Sequence, residues 1–485
     1  MITSRHVLVF LGVLSVLRIV WAALHGVSPQ EAYYWICGER LAAAFFDGPP
    51  GTAFVVRVLS AVFGGSLDVV RMAWPLFGFL ASWLAWTLVK SLYGVPVGLW
   101  TIAVLNSLPV FNEHSVTVGP WMPMLVCVLG GIIFANGAAA GKASDWVAAA
   151  GFLGIAYLFR YEAMLVPLGL LCWRLALIKS EGRPDWVPIA SLIVMPTVFL
   201  WPAMAWNARF DWIPLIGRTA QTFWRPQPGG WSIDAMAYFG EYSFVFGVVL
   251  SLGGLWMLRG VVATGSVRFM AWASAPAVLW AWYQFLTGRP LSSAAWIALI
   301  PVLAHLVSWG IRRRWFSAAW AIIVVLALIS TVLHLRHDAS ERGMWEAVAM
   351  ELHSATREMP ASEGGRFLIV EESDQAAVLA RYFKSSTPSA YPPVFVPESP
   401  ALVSQYGIWP SYADFIETDE VVDEFFTEQK GYNPFVGRNA LYLGPDLPQT
   451  IKGAFAEVRP LRKIHLPGRR TLTIHLCLDY QTLPL

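Results

Sequence analysis

Long apolar runs recur through the first two-thirds of the chain and stop near residue 338. The first, residues 6–24, is roughly 19 residues long, enough for one helical crossing of a bilayer. Further runs lie at 69–89, 96–111, 119–136, 146–159, 163–178, 187–206, 236–258, 269–287, 291–309 and 316–334. Two of them, 96–111 and 146–159, are short for a crossing. No period-two alternation of the soluble β kind appears before residue 340. The pattern predicts a polytopic all-α membrane region, residues 1–338, with about 11 transmembrane helices. Gly26-Val27-Ser28 is a poor cleavage site, so the first run reads as an uncleaved span rather than a signal peptide.

Beyond residue 338 the pattern changes. RFLIVEESDQAAVLARYFKSS, starting at Arg366, reads as a strand, a turn and an amphipathic helix. NALYLG, from Asn439, reads as a second strand, and RTLTIHLCLDY, from Arg470, alternates like a late one. Residues 339–485 are therefore expected to form a soluble C-terminal α/β domain outside the cytoplasm. They carry no nucleotide-binding glycine pattern, and a structural or lid role fits them as well as a binding one.

Composition supports the membrane assignment. Of 485 residues 56% are hydrophobic and 14% charged, where a soluble domain sits near a quarter charged; mean hydropathy is +0.53. The formal net charge of +2, with no basic run, excludes nucleic acid as a partner. Cys37, Cys127, Cys172 and Cys477 imply no disulfide framework. The 25 Trp suit interfacial belts and a sugar-facing cavity equally well. Lys and Arg concentrate in alternate short loops: Arg5, Lys90, Lys142, Arg174, Lys179, Arg183, Arg259, Arg268 and Arg312 to Arg314. By the positive-inside rule the N-terminus is cytoplasmic, and an odd number of spans puts the C-terminal domain outside. This fits a bacterial inner membrane with a periplasmic domain; an endoplasmic-reticulum location is the eukaryotic equivalent. Ionisable residues then gather on the outer face, where they form a functional-site hypothesis.

The first outer loop, 26–65, opens with Ser28-Pro29-Gln30-Glu31. Ser28 suits a helix N-cap, Pro29 the first helical position, and Ser-x-x-Glu is a capping box. Gly48-Pro49-Pro50-Gly51 then breaks the chain and leaves Asp47 at the end of a segment. A second interfacial helix, carrying Arg57, is expected to follow.

SPQEAYYWICGERLAAAFFDGPPG resembles the pattern pDEAYYW … yyDHPPl of the dolichyl-phosphate-mannose protein mannosyltransferase superfamily. That is glycosyltransferase family 39 with its bacterial relatives, the lipid A aminoarabinose transferases among them. LGIAYLFRYEAML, PAMAWNARFDWIPLIGR and RPLSSAAWIALIPVLA are similar to later family segments, in order. SDQAAVLARYF, SQYGIWP and GRNALYLG resemble pieces of the usual outer domain. The resemblance implies a GT-C fold. It implies an enzyme that moves a sugar from a polyprenyl-phosphate carrier to an extracytoplasmic lipid, glycan or protein acceptor. A general base deprotonates the acceptor hydroxyl, the lipid phosphate leaves, and the anomeric carbon inverts.

The chain departs from the family where chemistry is expected. The first-loop Asp falls on Gln30, whose amide cannot act as a base; losing a positioned base typically costs roughly 10²–10⁴-fold in rate. The His of DHPP falls on Gly48, and a second acidic position falls on Trp121. The Lys of KY is Arg160, which keeps the charge and adds a bidentate fork. The resemblance and the remaining polar residues leave Asp47, Glu31 and Glu113 as catalytic candidates. Arg160, Arg218 and Arg57 are candidates for the donor phosphate, and Gln30, Tyr34, Tyr161, Asn207 and Trp212 for the sugar pocket. Each has a plain alternative: Glu31 as a cap, Asp47 paired with an Arg, Glu113 a loop charge, Arg57 and Arg218 snorkelling, the aromatics a belt. No cofactor is fixed. A divalent cation stays open because family members differ, though His114 has no metal-ligand spacing around it. The missing acids also leave open a catalytically degenerate relative that binds lipid or glycan or acts as a scaffold. A transporter would place its charges near the midplane of its spans, and here they gather outside.

Overall fold

The computed structural model describes residues 4–139, 141, 144–181, 186–216, 253–254, 256–262, 265–286, 293–311, 313, 316–360, 365–383, 392–399, 402–414, 416–423, 426–466 and 471–481. The chain forms two compact units. One comprises residues 1–25 and 37–338, the other residues 26–36 and 339–485.

The helices in chain order are α1 (Ser4–Leu24), α2 (Pro29–Glu39), α3 (Gly51–Phe63), α4 (Leu67–Arg71), α5 (Trp74–Tyr93), α6 (Val95–Ser107) and α7 (Pro109–Val116). There follow α8 (Trp121–Ala139), α9 (Asp145–Tyr157), α10 (Leu165–Glu181), α11 (Trp186–Arg209), α12 (Ser266–Leu286), α13 (Ser293–Gly310) and the long α14 (Phe316–Glu358). Among the described residues six segments are long and apolar enough to cross a membrane: Ser4–Leu24, Leu67–Tyr93, Trp121–Ala139, Tyr161–Ile178, Trp186–Arg209 and Phe316–Arg336. The protein is a multi-pass membrane protein. In α1 the buried residues Val7, Leu11, Ser15, Arg18 and Ala22 form one stripe at helical spacing. Val9, Val13, Val16, Leu17 and Val20 are exposed around it, as expected of a helix that meets lipid on its other faces.

Against the about 11 spans expected from the sequence, the described residues give six to seven. The run 96–111 is α6 and α7, bent by 70° at a break. The cause is local: Leu108 takes an extended conformation, ψ 133°, as the residue before a proline does. Pro109 then starts the new helix where its missing N–H is not needed. Counting the bent pair as one span gives seven. Asp145–Tyr157 and Ala295–Gly310 are shorter apolar helices, and most of the run 236–258 lies outside the described residues.

In the second unit β1 (Arg366–Val370), α15 (Ser373–Ala380), β2 (Ile416–Asp423), β3 (Phe426–Tyr432), β4 (Asn439–Gly444), α16 (Gln449–Ala454), β5 (Phe455–His465) and β6 (Thr471–Tyr480) follow. The main sheet has the order β1-β4-β6-β5. β1 and β4 are parallel; β4, β6 and β5 pair antiparallel. β2 and β3 form a separate hairpin. β4 is buried along its whole length, which is why NALYLG reads as a continuous apolar run rather than an alternating one. Phe367, Phe395, Tyr412, Phe435, Phe455 and Tyr480 pack a common aromatic core. Arg462 on β5 grips the end of α14, with 2.6 Å to both Glu351 and Glu358. The strand, helix and late strands expected beyond residue 338 are present, in a mixed sheet.

Candidate functional site

The loop 26–65 folds by the local rules its sequence suggests. Glu31 accepts a hydrogen bond from the Ser28 backbone N–H at 2.8 Å, and its own N–H donates to Ser28 Oγ at 3.3 Å. This is the reciprocal capping box, and it starts α2. Glu31 is fully buried and also ion-pairs with Arg342 of α14, itself 2% exposed. Arg342 donates further to the Gly26 carbonyl at 3.2 Å. Glu31 is thus held on both sides by its own unit. Gln30 and Tyr34 lie on the same helix, each half-buried.

Asp47 stands exposed on a tight turn, in which the backbones of Phe45 and Gly48 exchange hydrogen bonds of 2.9 and 3.1 Å. Gly48 has φ 144°, a region that residues with a Cβ rarely adopt. The glycine in place of the family's His is therefore a requirement of this turn as well as the loss of an imidazole. Gly51 explains the end of the motif. Its N–H donates to the Leu158 carbonyl at 2.5 Å, and a Cβ there would sit 2.4 Å from that oxygen. The approach ties the start of α3 to the chain two residues before Arg160. Gly51→Ala is expected to destabilise the protein by about 1–3 kcal/mol through overpacking. Thermal unfolding in detergent would show it as a lowered midpoint.

A polar cluster surrounds the break between α6 and α7. Asn112 donates from Nδ2 to the carbonyls of Asn106 and Leu108, on either side of the break, both at 2.9 Å; the Leu108 carbonyl also accepts the Asn112 backbone N–H at 3.1 Å. Arg18 of α1, buried, donates to Asn112 Oδ1 at 2.8 and 3.2 Å and to Asn106 Oδ1 at 2.9 Å. Asn106 also exchanges hydrogen bonds with Ser82 on α5. From α14, Thr331 Oγ1 donates to the Ser107 carbonyl at 2.7 Å.

On α7 sit Glu113 and His114. The Glu113 carboxylate meets His334 Nε2 of α14 at 3.0 Å, with the two side chains 29% and 23% exposed. His114 is buried, stacked on Trp121 with ring centroids 5.2 Å apart and edge-on to Trp296 at 5.3 Å. The Arg160 guanidinium lies over the same Trp121 ring, 4.7 Å from its centroid. His114 Nε2 and Arg160 Nε are buried without a hydrogen-bond partner among the described residues. Glu113, Arg160 and His334 all lie within electrostatic reach of His114. Trp121 thus carries an imidazole and a guanidinium on its ring.

Of the residues expected from the sequence, Glu113 pairs with His334 and Arg160 lies over the Trp121 ring on which His114 stacks. Arg57 is half-exposed and 4.0 Å from Glu39. Asn207 is buried and donates to the Ala203 carbonyl of its own helix at 2.8 Å. Trp212 is 39% exposed, in a turn where it and Asp211 have positive φ, 61° and 52°. Tyr161 opens the short helical turn after Arg160. Arg218 lies outside the described residues. His334, Arg18, Asn112 and Arg342 are additions. Their long-range partners are 88 to 316 residues away, and a lone Arg within the apolar first run was the one signal available. Among the described residues no three His, Cys, Asp or Glu side chains gather to hold a metal ion.

Residues 47–206 match the family model described as dolichyl-phosphate-mannose-protein mannosyltransferase, a stretch that takes in Asp47, Glu113, Trp121 and Arg160. The lipid A galacturonosyltransferase RgtD of Rhizobium johnstonii (strain DSM 114642 / LMG 32736 / 3841) is 22% identical over 297 residues, 59% of this chain. The match spans 61% of that protein's length, less than two-thirds. The crystal structure of ArnT from Cupriavidus metallidurans bound to undecaprenyl phosphate superposes with a TM-score of 0.59 at 12% identity, covering 100% of both chains. Its apo state gives 0.59 at 13%, covering 98% of each. At that identity the likeness is one of fold. The matched segment lies across the polar cluster, and the chain as a whole shares the fold of ArnT.

Proposed function

We propose that the protein transfers a sugar from a polyprenyl-phosphate donor to a lipid or glycan acceptor at the outer face of a bacterial inner membrane. The observation that carries this reading is the cluster at the broken span: a half-exposed carboxylate, a guanidinium with an unused donor, and two indole rings. A lipid phosphate needs a cation, and Arg160 supplies one with fork geometry. A sugar ring packs on aromatic faces, and Trp121 and Trp296 offer them. A hydroxyl acceptor needs a base, and Glu113 is a carboxylate within this cluster. Discontinuous spans bring polar backbone and side chains to membrane depth, which is where substrate sites of membrane proteins are built. The galacturonosyltransferase relative favours a lipid A-like acceptor, and the ArnT complex favours undecaprenyl phosphate as carrier. The Lys and Arg bias of the loops supports the orientation.

The test is transfer itself. Protein in nanodiscs would be given radiolabelled undecaprenyl-phosphate galacturonic acid and lipid A, with other undecaprenyl-phosphate sugars in parallel. Labelled lipid A together with released undecaprenyl phosphate is the expected result. Binding of undecaprenyl phosphate without turnover, at every sugar, would favour a lipid-binding or scaffolding relative, the reading that Gln30, Gly48 and Trp121 motivate. Turnover appearing in Gln30→Asp alone would mark a scaffold that has given up its base.

A further inference from the structure

The family positions that should hold carboxylates carry Gln30 and Trp121, so the base of the proposed reaction has to come from elsewhere. Glu31, next to the first of them, is fully buried and already bound to Arg342 and its own cap. Asp47 is exposed on a turn of its own. Glu113 differs from both. It lies on α7, the short second half of a broken span, and keeps 29% of its side chain exposed while a neighbour fixes its carboxylate. That neighbour, His334, comes from the far end of the last described span, 221 residues on. The pair shares its surroundings with Arg160, the cation placed for the donor phosphate, since both lie around His114.

We propose, resting on the transferase reading, that Glu113 is the relocated general base and that His334 is the positioning residue that holds its carboxylate. In the step, Glu113 takes the proton of the acceptor hydroxyl as that oxygen bonds to the anomeric carbon. The bond from the anomeric carbon to the phosphate oxygen breaks, and its electron pair leaves with undecaprenyl phosphate. Glu113 then releases the proton to solvent. An imidazole N–H on one carboxylate oxygen fixes the rotamer of Glu113. The arrangement repeats the logic by which a base is aligned by a third group, with the carboxylate and imidazole roles exchanged.

The experiment compares wild type, Glu113→Gln, His334→Ala and His334→Gln in nanodiscs. Transfer from undecaprenyl-phosphate galacturonic acid to lipid A is followed, and undecaprenyl phosphate binding is read separately by thermal shift. Glu113→Gln is expected to lower kcat by about 10²–10⁴-fold, the contribution of a positioned base. His334→Ala is expected to lower kcat by up to about 10²-fold, the effect of a misplaced group, with the donor KM and undecaprenyl phosphate binding unchanged. His334→Gln keeps an N–H donor and is expected to recover most of the rate. Full activity in Glu113→Gln would overturn the assignment of the base. A His334→Ala defect confined to KM or to stability, or no rescue by His334→Gln, would overturn the positioning role. If His334→Ala fails to fold, Glu113→Gln and His334→Gln still decide. A wild type that binds undecaprenyl phosphate but turns over no donor overturns the transferase reading and this proposal with it. An active wild type indifferent to these substitutions overturns the proposal alone.

Discussion

Arg342→Leu is expected to lower stability by about 3–5 kcal/mol, the usual effect of removing one partner of a buried ion pair. Glu31 is completely buried, and Arg342 is its ion-pair partner. Without the guanidinium the carboxylate keeps the Ser28 N–H at 2.8 Å but loses its charge partner in a buried site. The Gly26 carbonyl loses a donor as well. The double variant Glu31→Leu/Arg342→Leu is expected to recover most of the loss, because replacing both members of a buried pair by apolar groups is often neutral. What remains should be about 1 kcal/mol, for the lost cap. Thermal unfolding of all three proteins in one detergent gives the coupling. A single variant as stable as wild type would show that the pair contributes nothing. The same cycle separates the two readings of Glu31: a residue whose loss is repaired by removing its partner is acting in the fold.

How far these features could be seen beforehand depends on their range. The capping box at Ser28 and Glu31 was visible because both halves lie within one helical turn, and the double glycine-proline motif because a break is a local event. The spans and the strand at Asn439 were visible through hydrophobic pattern alone. The break after Ser107 was not: Pro109 lies inside an apolar run, and one proline reads equally as a kink or as nothing. Arg160 was noticed as a cation, but its place over Trp121 depends on how α8 meets the end of α9. His334 carried no local signal. An imidazole at the polar end of a span is ordinary until α7 bends and brings Glu113 to it. Gly48 looked like a loss of chemistry, and its φ of 144° shows a backbone demand that the sequence pattern does not display. What escaped the sequence is what three-dimensional pairing creates.

Arg18→Leu is the second change expected to have a large effect, although Arg18 touches none of the residues proposed to meet substrate. A cation inside a span is expensive unless polar groups surround it. Here the partners among the described residues are neutral amides, Asn112 and Asn106, with the Phe111 ring 5.5 Å from the guanidinium. The geometry gives the charge a specific task. Asn112 uses its amide nitrogen on the Asn106 and Leu108 carbonyls, which lie on either side of the break, and Arg18 holds the other end of that amide. Leucine would leave Asn112 Oδ1 buried without a donor, at about 1–3 kcal/mol, and would free α7 to rotate or slide. Glu113 and His114 ride on that helix. A shift of about 1 Å at a reacting group can cost roughly 10²-fold in rate, so transfer is expected to fall by about that factor while undecaprenyl phosphate binding persists. Arg18→Lys should behave much like leucine, because one ammonium on a shorter stem cannot span both amides. Asn112→Ala should reproduce the defect, and the double variant should add little, since both act on one contact. Wild-type rate and stability in Arg18→Leu would mean that α6 and α7 hold their 70° bend without this clamp.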